Sequence, residues 1–288
     1  NARTMELYRR IGLADRIRAA GLRGDVPMDV FIITSLTEPP LLHLPYPSVA
    51  QAQQQIAACR DGTLPLEPYQ LISQYTLEPL LKAVAESIPH VEVRYGCEFV
   101  SFDQDAGSVR ARVKTSGGKT FELSAHYLVG CDGGTSAVRR QLGIKLQGEA
   151  NLLQLRQALY RCDDLFERIP IGKGRHYHVA DAHNTFLIVQ DSTKHFTLHA
   201  VVETDEDMKT AFEQTVAMPV QYEMLYVGKW RQNLLLAESY RRDRVFLAGD
   251  AVSDLKSGAD AYDITLQLPP DKRSFRLPAV SPEHWWLI

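Results

Sequence analysis

Tyr127-Leu128-Val129-Gly130-Cys131-Asp132-Gly133-Gly134-Thr135-Ser136-Ala137-Val138-Arg139 is the stretch whose reading decides the fold. Its opening apolar run, residues 127–131, is short and unbroken, the pattern of a strand buried on both faces. Asp132-Gly133-Gly134 interrupts it, and a helix from about Ser136 to Leu142 follows, stopped by Gly143. A strand that delivers Asp-Gly to a helix start has the geometry of a ligand-binding sheet edge. A second apolar strand, Val245-Phe246-Leu247-Ala248, ends in Gly249-Asp250-Ala251. Glycine lets a backbone approach a phosphate or sugar closely, and a carboxylate accepts hydrogen bonds from ribose or ribitol hydroxyls. Each pair alone is a common turn, so the weight lies in having two of them.

Outward from these strings, Thr4 to Ile11 reads as a helix with Thr4 as its N-cap. Short β-rich pieces, Val30 to Thr34 and Leu41 to Leu44, lie among prolines, which suits edge strands and loops. A helix is expected from about Leu77 to Ser87, capped by Thr76 with Pro79 in its first turn, followed by a strand from Val91 to Tyr95. Glu98 to Leu123 reads as a three-stranded meander. Residues 151–238 alternate as a separate sheet, with one charged helix near Glu206 to Thr215. The fold class is therefore mixed α/β.

The chain has 288 residues, 45% hydrophobic and 23% charged, with a formal net charge of −3. This balance excludes disorder and collagen-like repetition, and it does not point to nucleic acid. No apolar run approaches the roughly twenty residues that cross a bilayer, and no signal-peptide pattern opens the chain, so a cytoplasmic protein with no membrane partner is expected. Cys59, Cys97, Cys131 and Cys162 are widely spaced and form no C-x-x-C pair, and no metal site is expected. Gly-x-Ser-x-Gly, Walker and His-Glu-x-x-His motifs are lacking, which removes support for a hydrolase, a P-loop enzyme or a zinc protease. Tyr177, His178, His195 and His199 could assist a phenolic substrate, but alternation alone leaves open which sheet face carries them, so no catalytic residue is assigned.

The strings at 127–139 and 244–251 resemble, in order, the two internal fingerprints of the FAD-dependent aromatic hydroxylases. These are the para-hydroxybenzoate hydroxylase-type flavoprotein monooxygenases, which include the phenol and 3-hydroxyphenylpropionate hydroxylases. Asn1 to Leu7 is similar to the segment after the second strand of that family's FAD fold, and Ile72-Ser73-Gln74 to a later cofactor-contacting stretch. The resemblance covers about residues 1–251. It implies an FAD/NAD(P)-binding Rossmann-like domain from residues 1–22, 71–146 and 240–253, and a β-sheet substrate domain from 23–70 and 147–239, with 254–288 unassigned. It also implies that Asp250 holds the ribityl chain, with Gly249 allowing close approach, and that Arg3 pairs with the pyrophosphate or adenosine. Gln74 would bond the phosphate or ribityl region, and Asp132 with Gly133 would lie near the pyrophosphate and the nicotinamide path. The implied activity is hydroxylation of a phenolic or other aromatic small molecule with FAD, NAD(P)H and dioxygen.

Two features depart from the family pattern. The strand with Gly-x-Gly-x-x-Gly that should place the pyrophosphate at a helix N-terminus is not in this sequence, and the chain starts at Asn1 in a helical pattern, as a fragment would. After Ala251 the family continues with His, Pro and a glycine-rich stretch, where this chain reads Val252-Ser253-Asp254 and then a tail broken by Pro269-Pro270, Pro278 and Pro282. The alternative expectation is thus a truncated, non-catalytic remnant with weak or no FAD binding. A second alternative keeps the FAD fold for another reaction, epoxidation or reduction.

Overall fold

The computed structural model describes residues 1–255 and 285–287. In chain order the elements begin with α1 (Ala2–Arg10), α2 (Ala14–Ala20), β1 (Val30–Ile33), β2 (Leu42–Leu44), α3 (Val49–Ala58) and α4 (Gln74–Glu86). The meander follows as β3 (Cys97–Gln104), β4 (Val109–Thr115) and β5 (Thr120–Ala125), then β6 (Tyr127–Gly130) and α5 (Ala137–Gln141). Next come β7 (Leu146–Arg161), α6 (Leu165–Arg168), β8 (His176–Val179), β9 (Phe186–Val189), β10 (His195–Ala200) and α7 (Asp205–Val216). The chain closes with β11 (Glu223–Ala237), β12 (Arg241–Arg242), β13 (Val245–Leu247), β14 (Ser253–Leu255) and β15 (Trp285–Leu287). The mixed α/β expectation holds. The proline-broken tail lies outside the described residues.

These residues form two compact units, Asn1–Ala83 with Gln154–Trp230, and Val84–Leu153 with the chain from Arg231 onward. The first carries a sheet in the order β11-β7-β10-β9-β8-β1-β2, with β1 parallel to β8 and β8, β9, β10 and β7 successively antiparallel. Alternation puts Phe31, Tyr177, Leu187, Leu198, Ala158 and Tyr160 on one face, packed with Met208 and Phe212 of α7. Tyr160 stacks on Phe212 at 4.0 Å and donates its hydroxyl to the Met208 carbonyl at 2.7 Å, so the buried polar atom is satisfied. Tyr177 is fully buried on that face, its hydroxyl bonded to the Gly172 carbonyl. His178 and His199 lie on the opposite face, in register through Phe186 between them.

In the second unit β6 and β13 are parallel neighbours, flanked by β12 and β15 in the order β12-β13-β6-β15, and β3-β4-β5 forms a separate antiparallel meander. Val109, Leu128, Val138, Leu142, Ala237, Val245 and Leu247 make its core.

Three local expectations change. Asn1, not Thr4, caps α1: its side-chain oxygen accepts the Thr4 N–H at 2.9 Å, satisfying a donor the first turn leaves free. The helix expected to start after Thr76 begins at Gln74, because Ser73 is already anchored by Asp191. Val91 to Tyr95 forms no strand; Val91 and Tyr95 are exposed, and an alternating segment without a partner strand gains no ladder bonds.

His199 makes this fold sensitive to acid. Burial pushes its pKa from 6.5 down to about 4, so between those values the unfolded chain binds the extra proton and the folded chain does not. Stability contributed by the neutral ring is full above pH 6.5 and falls as pH drops toward 4, by roughly 3 kcal/mol across the window. Urea unfolding of wild type and His199→Phe at neutral pH and at pH near 4.5 should show the wild type losing the more stability of the two; equal losses would remove His199 as the cause.

Candidate active site

The two glycine-aspartate strand ends meet on one sheet edge. β6 and β13 pair in parallel with Val245 opposite Leu128 and Leu247 opposite Gly130, and Ala248 N–H donates to the Gly130 carbonyl at 2.9 Å. Asp132-Gly133 and Gly249-Asp250 therefore leave adjacent strands at their carboxyl ends, where open α/β sheets bind ligands. Gly133 has φ +80° and Gly249 φ +60°, left-handed conformations that favour glycine, and the space a Cβ would occupy is empty at both.

The two aspartates are used differently. Asp132 accepts from the Ser136 hydroxyl, from the Ala137 N–H at 2.6 Å and from the Val138 N–H at 3.1 Å, so its carboxylate satisfies the first turn of α5. Asp250 lies in a single 3-10 turn, Gly249–Ala251, and is exposed; among the described residues no hydrogen bond or ion pair engages its side chain. The sequence did not distinguish these roles, since both residues sit beside a glycine after a strand.

Arg139 joins the two strand ends. It is 6% exposed, and its guanidinium donates to the Gly134 carbonyl at 2.7 Å and the Ala251 carbonyl at 2.9 Å. Its own amide is taken by the Ser136 hydroxyl at 2.9 Å, so the residues that cap α5 also place the clamp. Arg139 closed the string read first, yet its role was missed, because its partner at Ala251 is distant in sequence.

Arg3 and Gln74 belong to the first unit. Arg3 projects from α1 with a side chain 68% exposed and pairs with Glu6 one turn along at 3.5 Å. Gln74 opens α4 and donates to Glu78 at 2.5 Å. The stretch before it is fixed by Asp191, which accepts from the Ser73 amide at 3.1 Å, the Ser73 hydroxyl at 2.6 Å and the Tyr75 hydroxyl at 3.1 Å. Desolvation opposes ionisation of Asp191, but these donors outweigh it and hold its pKa below the usual carboxylate value. A cleft of about 540 Å³ also opens in the first unit beside α7, lined by Asp181, His183, Glu203 and Asp207 among others, and none of the expected cofactor residues lines it. Among the described residues no cluster of three or more His, Cys, Asp or Glu could hold a metal ion, and no helix is long and apolar enough to cross a membrane.

The donor set at the β6–β13 edge fits a hydroxyl-bearing nucleotide cofactor: open backbone at two glycines, one unengaged carboxylate, and strand ends fixed from behind by a buried cation. Removing the clamp leaves buried carbonyls without that partner. Arg139→Ala should lose about 2–4 kcal/mol of unfolding free energy, and Arg139→Met, which keeps the apolar stem, about 2 kcal/mol. Denaturant titration checks both; losses within about 0.5 kcal/mol of wild type would show that the guanidinium does not hold the edge.

A profile of the family described as FAD binding domain matches residues 1–255. The chain is 31% identical to the FAD-dependent monooxygenase opdD of Penicillium oxalicum, over 93% of this chain and 57% of that protein. It is 30% identical to the aklavinone 12-hydroxylase RdmE of Streptomyces purpurascens, over 93% of this chain and 54% of the relative. A solved ternary complex of aklavinone-11 hydroxylase with FAD and aklavinone superposes with a TM-score of 0.76 at 27% identity, covering 88% of this chain and 49% of that one. The chain thus spans about half the length of the relatives it matches. It belongs to the FAD binding domain family, whose profile runs through both glycine-aspartate strand ends.

Proposed function

We propose that the chain is part of an FAD-dependent monooxygenase that hydroxylates a phenolic or other aromatic small molecule of the polyketide type, with NAD(P)H and dioxygen as co-substrates. Support comes from the family profile, from relatives named as a monooxygenase and an aklavinone hydroxylase, and from a solved neighbour holding FAD with an aromatic polyketide. The observation that carries the reading is the unengaged Asp250 carboxylate beside open glycine backbone, on the edge it shares with the end of β6.

In this reading residues 1–22, 71–146 and 240–253 bind the cofactor and residues 23–70 and 147–239 the substrate. Asp250 accepts hydrogen bonds from ribityl hydroxyls, and Gly249 admits the chain that bears them. Asp132 acts through α5, capping the helix that presents Arg139, while Gly133 keeps the edge open to the pyrophosphate side. Arg3, tethered only by an exposed pair with Glu6, is available to a phosphate, and Gln74 is held by the Asp191 anchor for the phosphate or ribityl region. The chemistry a bound FAD supplies is hydride acceptance from NAD(P)H and activation of dioxygen. The protein's part is to bind and orient.

Replacing a carboxylate that receives charge-assisted hydrogen bonds costs roughly 1.5–3 kcal/mol, a factor of about 10–100 in affinity. Asp250→Ala should weaken FAD binding by that factor in a fluorescence titration, with NAD(P)H-dependent transfer of one oxygen atom to a phenolic substrate falling in parallel. Wild-type protein that retains no FAD, or an Asp250→Ala variant that binds it as tightly as wild type, would overturn the reading.

A further inference from the structure

On the face of the first unit's sheet that points away from its core, aromatic rings line up across neighbouring strands. His178 of β8 stacks on Phe186 of β9 at 5.5 Å, and Phe186 on His199 of β10 at 4.4 Å with planes 6° apart. Each pair sits directly in register. Trp230 of β11 meets His199 edge-on at 6.1 Å. Rings that lie parallel at nearly the strand spacing of about 4.8 Å stand upright on the sheet and present edges outward. Aromatic edges carry partial positive charge and attract the negative face of an electron-rich ring. Three strand spacings make a row on the order of 15 Å long, enough for a ligand of several fused rings.

One member of this row is out of place in a purely structural ladder. His199 is 7% exposed, its Nδ1 is fully buried, and no hydrogen-bond partner reaches it among the described residues. Gln157, directly opposite on β7, makes no bond to it. Leaving a buried ring nitrogen unpaired costs on the order of 1–3 kcal/mol, and in native structures such groups concentrate at functional positions. Burial keeps the ring neutral at neutral pH, with one nitrogen bare and one protonated. A hydroxyl can donate to the first or accept from the second, so it complements either tautomer.

We propose that His199 is a substrate-recognition residue: the row His178, Phe186, His199 and Trp230 takes a flat, fused-ring aromatic compound, and the His199 imidazole hydrogen-bonds a hydroxyl on it. The identity of this ligand as the molecule to be oxidised rests on the monooxygenase reading; its recognition by His199 does not.

The test is equilibrium dialysis of the purified protein, supplied with FAD, against alizarin, a hydroxylated fused-ring compound, and anthraquinone, the same skeleton without hydroxyls. His199→Phe keeps an aromatic ring in the row and removes the polar nitrogens; His199→Gln restores a polar group at similar reach. Alizarin binding should weaken about tenfold in His199→Phe and recover most of that loss in His199→Gln, while anthraquinone binding stays within about twofold throughout. Equal weakening of both compounds, no weakening of either, or wild-type protein that binds neither overturns the inference. If His199→Phe fails to fold, His199→Gln decides alone: it must keep the wild-type preference for alizarin over anthraquinone, and loss of that preference overturns the inference. NAD(P)H-driven hydroxylation is scored separately. Discrimination that depends on His199 in a protein without turnover supports the recognition role and counts against the monooxygenase reading; turnover without such discrimination does the reverse.

Discussion

The Arg139 guanidinium, buried and bonded to the Gly134 and Ala251 carbonyls, is the interaction on which the second unit's ligand edge depends. Parallel pairing brings β6 and β13 side by side, but the backbone beyond the paired residues has no ladder to hold it. A planar cation with several donors can satisfy two such carbonyls at once, and a lysine could not do so with the same geometry. Asp132 contributes from the other direction by capping α5, so the helix that carries Arg139 starts at a fixed place. With these groups committed to structure, Asp250 is left as the acidic side chain of the two strand ends that is free to meet a ligand.

The first unit solves a different problem. Its sheet buries one face against α7 through large apolar and aromatic side chains, and alternation then obliges the intervening residues to occupy the other face. On that second face the residues are histidines, a phenylalanine and polar groups rather than a second apolar layer, which is costly unless something is recognised there. The unpaired nitrogen of His199 is the clearest sign of that cost.

Much of this was legible in the chain itself. The apolar runs at Tyr127 and Val245, each closed by glycine and aspartate, were read as strands ending at a ligand edge, and they are parallel neighbours. The meander and the charged helix near Glu206 followed from alternation and helical spacing, and both are present. Local capping was less legible: Asn1 and Thr4 are both good caps, and only the geometry of the first turn chose between them. Val91 to Tyr95 had a strand's alternation but no partner, and pairing is not a local property. The anchor from Asp191 to Ser73 joins residues 118 positions apart, beyond the reach of any spacing rule.

The sequence by itself determined which segments become strands and helices, and where glycines permit close backbone approach, because those properties depend on side-chain period and on backbone sterics within a few residues. Tertiary structure alone decided that Asp132 serves as a cap while Asp250 stays free, that Arg139 bridges two distant carbonyls, and that Tyr177 turns to the core while His178 and His199 turn away from it. Hydrogen-bond partnership and the choice of buried face are fixed by strand register and by which groups arrive within about 3 Å, and neither is encoded in any one segment.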